Sequence, residues 1–281
     1  MSKPLPISTN FKLPKQSDQV NLDSKKTRES FEEFIANNPQ GRFSKVISEA
    51  EMYKICKEML DNWDLSKYDE LKAKHYKEDS GTPKNKLKYL DLFSWIAGRM
   101  NSAILMGLHK SMPLDILDIG TGPGHFAFIA KFFGHNILTS DIAPGTPEGS
   151  IKNGEIKQKE SKDVFYKDHI NFFNLESITH RVEPFKSASN IEKKFDLITI
   201  LMPSFEKFSR DKELWGLKEW EFLIDDYKNN LLNENGRMFL WLSRTPQFEG
   251  IQPNDEKFIS FMESKGATVD IGRSIFMFGE F

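Results

Sequence analysis

The stretch Leu117-Asp118-Ile119-Gly120-Thr121-Gly122-Pro123-Gly124-His125-Phe126 decides the fold. The apolar run from Asp115 to Ile119 reads as a buried strand, and three glycines follow it at alternate positions. Helical spacing resumes near Pro123 or Gly124 and stops before Gly134. Glycines are needed where the backbone turns sharply off a strand and a ligand must lie against main-chain atoms with no Cβ in the way. The loop therefore reads as a ligand floor. The next strand delivers Asp141 seventeen residues beyond Gly124, close to the offset at which a carboxylate can accept hydrogen bonds from both hydroxyls of a ribose.

Outward from this stretch, short apolar strands alternate with helices from Leu114 onward, the texture of an open α/β sheet. Strands are predicted at Asp115–Ile119, Asn136–Ser140, about Thr179–Glu183, Phe195–Leu201, Arg237–Leu242, Thr268–Ile271 and Ser274–Phe281. Helices are predicted through Trp220, Leu223, Ile224, Tyr227 and Leu231, ended by Asn235-Gly236, and through Phe258, Phe261 and Met262, ended by Gly266. Only Gly272-Arg273 separates the last two strands, too little for a crossover, so the final strand must be antiparallel, with the glycine supplying a positive φ. The expected fold is Rossmann-like: a seven-stranded, mostly parallel sheet with an antiparallel last strand, preceded by helices.

Ahead of the sheet, residues 1–30 lack any period and read as a flexible tail, and residues 31–110 as a helical region capping the site of the domain over 111–281. Ser48 and Glu51 form a capping box before a helix carrying Met52, Ile55, Cys56, Met59, Leu60 and Trp63 on one face. Residues 64 to 84 read as polar, and a further helix carries Leu90, Phe93, Ala97, Met100, Ile104 and Leu108 as far as about His109. The segment from Gly149 to Lys167 reads as charged and exposed.

Composition narrows the function. A net charge of −2 gives no bulk attraction to nucleic acid or anionic membrane. The one cysteine, Cys56, sits on an apolar helical stripe, which makes it a core residue rather than a nucleophile. No Cys/His spacing suggests a metal site, and no apolar run is long enough for a signal or a membrane span, so a cytoplasmic monomer or homodimer is expected.

Two cofactor classes compete for the glycine loop. Dinucleotide sites use G-x-G-x-x-G, whereas the spacing here is Gly120-x-Gly122-x-Gly124. This resembles motif I of the class I S-adenosylmethionine-dependent methyltransferases, over roughly Leu87 to Phe281. Phe195-Asp196-Leu197-Ile198 resembles that family's fourth strand, and Leu232-Asn233-Glu234-Asn235-Gly236-Arg237 its turn into the fifth. The resemblance implies S-adenosyl-L-methionine as cofactor and S-adenosyl-L-homocysteine as product. It implies that Gly120, Thr121, Gly122 and Gly124 pack on the methionine and ribose portions, that Asp118 orients the loop and the ligand's ammonium, and that Asp141 holds the ribose. It also implies Ile142 over one adenine face, Glu183 near the adenine edge, and Leu201 and Met202 near the sulfonium.

No residue declares itself the catalyst. His125 reads either as a ligand contact or as a plain first helical residue, and as a general base only secondarily; Glu206 is the other candidate base, against an exposed loop carboxylate. Ser204, Phe205 and Trp215 are candidates for the acceptor pocket, with Trp220 assigned to the core. Tyr89, Trp95 and Arg99 could close over the methionine end, although such an arginine is more often solvated. Leu201-Met202-Pro203-Ser204-Phe205 lacks the acid or amide and the second proline with which the family's base and glutamine methylases hold a planar amine. The expected acceptor is therefore a small molecule or a sugar or lipid precursor, with O-methylation slightly favoured. RNA or protein methylation, a non-catalytic module that binds the cofactor, and a nicotinamide-dependent oxidoreductase remain as alternatives.

Overall fold

A computed structural model describes residues 55, 58–59, 64–77, 82, 84–141, 150–152, 155–157, 164–203, 205, 213–272 and 274–280. The tail over 1–30, most of the helix expected from Ser48 to Trp63 with Cys56, and Ile142, Ser204 and Glu206 lie outside these residues. The described residues fall into two compact units built from interleaved segments, one from 1–111, 123–134 and 162–175, the other from 112–122, 135–161 and 176–281.

In chain order the elements are α1 (Leu65–Tyr76), a 3-10 helix (Lys84–Leu90), α2 (Leu92–Leu105), β1 (Asp115–Ile119), α3 (His125–Phe132) and β2 (Asn136–Asp141). A small hairpin of β3 (Ser150–Lys152) and β4 (Glu155–Lys157) and helix α4 (Phe165–Phe172) follow. The chain then forms β5 (Glu176–Thr179), β6 (Phe195–Leu201), α5 (Leu217–Asn230), β7 (Leu232–Trp241), α6 (Glu256–Ser264), β8 (Ala267–Asp270) and β9 (Ile275–Phe278).

The second unit carries a seven-stranded sheet in the order β5-β2-β1-β6-β7-β9-β8. Strands β5, β2, β1, β6 and β7 run parallel, and β9 is antiparallel to both β7 and β8. This is the Rossmann-like α/β sheet with the reversed last strand that the short terminal connection demands. Leu197, Ile198, Thr199 and Ile200 in succession are buried, so both faces of β6 are covered, as in a central parallel strand. Trp220, Leu223, Ile224 and Tyr227 of α5 and Phe258 and Met262 of α6 join Ile198, Ile200, Met238, Leu240 and Phe276 in one core. The strand order turns back between β1 and β6, and in open α/β sheets the crevice at the carboxyl ends beside such a switch point is where ligands bind.

Several local readings are corrected. The strand expected at Thr179–Glu183 runs over Glu176–Thr179, in register with Leu138 to Asp141 of β2. The His180 N–H still donates to the Asp141 carbonyl at 3.2 Å, and β2 ends there, so the residues that follow have no strand beside them to extend β5. Helix α5 stops at Asn230, not at Asn235-Gly236; those two residues lie in β7, where the register with β6 shifts between Phe195 and Leu197. A Cβ on Gly236 would approach Asn233 O and Leu232 Cβ at 2.9 Å, so the glycine serves a tight strand irregularity. A positive φ was expected of Gly272, and the terminal turn carries one at Ser274 (φ +56°).

The first unit corrects more. The segment taken as polar contains α1, with Tyr68, Leu71, Lys72 and His75 buried on one face. The stretch taken as exposed up to Lys167 contains β3 and β4 and leads into α4, where Phe165, His169 and Ile170 are buried. The single helix expected up to His109 breaks at Asp91 into the 3-10 turn and α2, which ends at Leu105. Asp168 of α4 joins this helix to α1, lying 2.7 Å from Lys74 Nζ and 3.0 Å from His75 Nε2.

Candidate functional site

The site in the sheet unit is built where β1 ends. The first two loop amides, of Gly120 and Thr121, both donate to the Ser140 carbonyl on β2, at 2.8 and 3.2 Å, which pulls the loop over the end of the neighbouring strand. Gly120 (φ +67°) and Gly122 (φ +55°) are left-handed, a conformation that side chains resist. A Cβ at either would meet nothing within 4 Å, so the space over both is open.

Two carboxylates hold this loop. Asp118, 2% exposed, accepts from Thr199 Oγ1 on β6 at 2.7 Å through one oxygen and from Thr121 Oγ1, in a very short contact, through the other. The aspartate thereby ties the loop to the strand across the switch point. Asp141, at the end of β2, turns toward the loop and accepts the Gly122 N–H at 2.7 Å through Oδ2. Thr199 is absent from the sequence-based set. Its signal was a hydroxyl flanked by the apolar residues Leu197, Ile198, Ile200 and Leu201, which must find an acceptor when buried.

Leu201, the last residue of β6, is buried, and Met202 just after it is left-handed (φ +67°) and 42% exposed. The Met202 N–H donates to the Trp241 carbonyl at 2.6 Å, its carbonyl accepts from Ser243 Oγ at 2.5 Å, and the Ser243 N–H donates to the Pro203 carbonyl at 3.2 Å. A non-glycine residue in this conformation costs of order 1–3 kcal/mol and persists where its surroundings over-determine it. Glu183 lies beyond β5 with its carboxylate 2.8 Å from Lys186 Nζ. Trp215 is one of the most completely buried side chains, whereas Phe205 and Trp220 line a small cavity with Phe258. Trp220 meets its neighbours edge to face, with Phe205 and Trp220 centroids 4.6 Å apart and Trp220 and Phe258 5.4 Å apart.

The remaining candidates belong to the helical unit. Gly124 (φ +83°) precedes α3, and a Cβ there would stand 2.8 Å from Leu175 Cδ1 and 2.9 Å from Ile170 Cδ1. Among the three glycines, Gly124 is thus the one required by close side-chain packing. His125 is stacked on Trp95 at 6.1 Å between centroids, Tyr89 packs on Trp95 at 4.6 Å, and the Arg99 guanidinium lies over the Trp95 ring at 5.5 Å. Burial first, and then the nearby His169 and Arg99, hold the His125 imidazole well below its usual pKa and therefore neutral. His125 Nε2 is buried without a hydrogen-bond partner. A ring sealed in this way is poorly disposed to exchange protons as a general base. Among the described residues no cluster of His, Cys, Asp and Glu could hold a metal ion, and no helix is long and apolar enough to cross a membrane.

No family model and no curated protein matches the chain. Solved structures resembling it include the PH0226 protein of Pyrococcus horikoshii, 16% identical, with 58% of this chain aligned to 62% of that one and a TM-score of 0.36. The ribosomal protein L11 methylase of Lactobacillus delbrueckii subsp. bulgaricus is 17% identical over 67% of this chain and 76% of its own, with a TM-score of 0.35. A TehB-like SAM-dependent methyltransferase of Corynebacterium glutamicum is 14% identical over 66% and 88%, with a TM-score of 0.38. The chain spans less than two thirds of the first of these proteins. The fold rests on this chain's own strand order and register.

Proposed function

We propose that this chain is an S-adenosylmethionine-dependent methyltransferase whose acceptor is a small molecule. The observation that carries the reading is the pairing of an open, left-handed glycine loop after β1 with the Asp141 carboxylate turned onto it from β2. The residues fit the cofactor on two counts. Open space over Gly120 and Gly122 lets a nucleoside lie on the main chain, and the Gly122 N–H holds the Asp141 carboxylate, a group of the kind that accepts from a ribose diol, at the loop. The alternate-residue glycine spacing supports this cofactor over a dinucleotide.

S-adenosylmethionine brings an electrophilic methyl group on a cationic sulfonium, so the protein's task is alignment and exclusion of water more than proton chemistry. Asp118 and Thr199 hold the loop, and Asp141 would hold the sugar with the Met202 turn beside the reacting end. The sealed His125 supports a reaction that needs no histidine base, and O-methylation of an acidic hydroxyl meets that condition. The net charge of −2 and the segment Leu201-Met202-Pro203 favour a small acceptor over nucleic acid.

Calorimetry with S-adenosylhomocysteine tests the reading. Binding is expected in the wild type, and Asp141→Ala should weaken it by about 1–3 kcal/mol, the cost of removing a charge-assisted partner. Unchanged affinity in the variant, or selective binding of a nicotinamide dinucleotide, would overturn the assignment.

A further inference from the structure

The exits of β6 and β7 carry two features that bear on the acceptor. One is the left-handed, exposed Met202, pinned by Trp241 and Ser243. The other is a cavity of about 20 Å³ in the same unit. Its walls include Pro203 and Ser243, both of which take part in the pinning, together with Phe205, Trp220, Ile251 and Phe258. Of the wall residues only Ser243 and Trp220 carry a polar side-chain atom, and the Ser243 hydroxyl is already donated to the Met202 carbonyl. A trapped water needs two to four polar partners, and these walls offer few, so the cavity favours an apolar occupant. At this volume it holds roughly one methyl-sized group.

We propose that this cavity seats a small, uncharged apolar end group of the methyl acceptor, and that the Met202–Pro203 turn is the rim that fixes the acceptor's approach. The proposal rests on the transferase reading and narrows its substrate class to neutral molecules carrying a methyl or short alkyl terminus. Strain retained in an exposed residue beside an apolar hole at the carboxyl edge of the sheet is the juxtaposition that supports it. A carboxylate or ammonium in the cavity would lose its water with no side chain of opposite charge in the wall to replace it.

Isobutanol, isobutyrate and isobutylammonium serve as probes in saturation-transfer NMR, with and without S-adenosylhomocysteine. The isobutanol methyls should be saturated by the wild type and the two ions much less. Ile251→Trp, which fills the cavity from its partly exposed wall, should weaken isobutanol binding about fourfold, as loss of burial for one methyl-sized group entails, while S-adenosylhomocysteine affinity stays within about twofold. The Trp220 indole resonance of the wild type should shift with isobutanol, an observation that needs no substitution. Equal or better binding of the ions, an unmoved Trp220 resonance, or an Ile251→Trp protein that folds and binds isobutanol as before, overturns the proposal. Tritiated methyl transfer into a cell extract gives the catalytic arm, where label should enter neutral, solvent-extractable products. Label confined to charged metabolites or macromolecules, or no label from a protein that binds S-adenosylhomocysteine, also overturns it. Loss of S-adenosylhomocysteine binding would sink the transferase reading instead, and the cofactor-free isobutanol experiment still decides whether the cavity takes an apolar group.

Discussion

An added methyl group separates the three glycines of the loop. At Gly122 it would enter open space, and the penalty is that of a left-handed L-residue, roughly 1–2 kcal/mol. At Gly124 the same backbone strain is joined by contacts of 2.8 and 2.9 Å with the Cδ1 atoms of Leu175 and Ile170, side-chain ends that can shift, so the added cost lies at the low end of overpacking, about 1 kcal/mol. Urea unfolding should therefore find Gly124→Ala clearly less stable than Gly122→Ala, while calorimetry should find Gly122→Ala the more damaging to S-adenosylhomocysteine binding. Equal stability losses would remove the distinction. The sequence made all three glycines legible but not their division of labour, because Ile170 and Leu175 lie some fifty residues away and nothing local marks them as neighbours of the loop. Asp118 entered as the loop's organiser through the family resemblance alone; its bond from Thr121 spans three residues, whereas the one from Thr199 required the strand order to be known.

Among the elements, β1, β6 and α5 could be read from their apolar period, and α1 and α4 could not. Two of the four residues cited above on the buried face of α1 are Lys72 and His75, and the buried face of α4 includes His169, so polar letters fill positions that periodicity needs apolar. His169 shapes the acid behaviour of α4. Its Nδ1 lies 2.9 Å from the Phe165 carbonyl, its Nε2 is buried without a partner, and burial, with a lesser push from His75, lowers its pKa to about 4. The unfolded chain takes up this proton near pH 6.5 and the folded chain only near 4, so between those values the unfolded state binds more protons and stability falls as pH falls. The full loss is on the order of 3 kcal/mol, since each pKa unit is worth about 1.4 kcal/mol. Urea midpoints measured from pH 7 down to 4 should decline less steeply in His169→Phe than in the wild type; parallel declines would assign the acid sensitivity to other groups.

For the whole sheet, the strand order predicts how stability is distributed. Strands β1, β6 and β7 are paired on both sides, β1 and β6 are mostly buried and so is β7 over Met238–Leu240, whereas β5 at one edge exposes Glu176, Ser177 and Thr179, and β8 forms the other edge. Hydrogen exchange should find the slowest amides in β1, β6 and β7 and early exchange in β5 and β8, because edge strands open without breaking the core. Uniform protection across the seven strands would contradict this. The fold class was legible at this scale because a glycine loop, a spaced acid and a two-residue terminal connection each constrain topology. The cavity beside Met202 was not legible, since its walls come from five separate chain segments and Trp220 looks like core in one dimension.

Close packing at Gly124 leaves a trace in descent as well as in stability. In a collection of relatives, an alanine at that position should arrive together with a shortened side chain at the positions of Ile170 or Leu175, whereas replacements of Gly122 should drift independently of both. The approach of 2.8 Å would then be recorded as correlated substitution across some fifty residues of intervening chain.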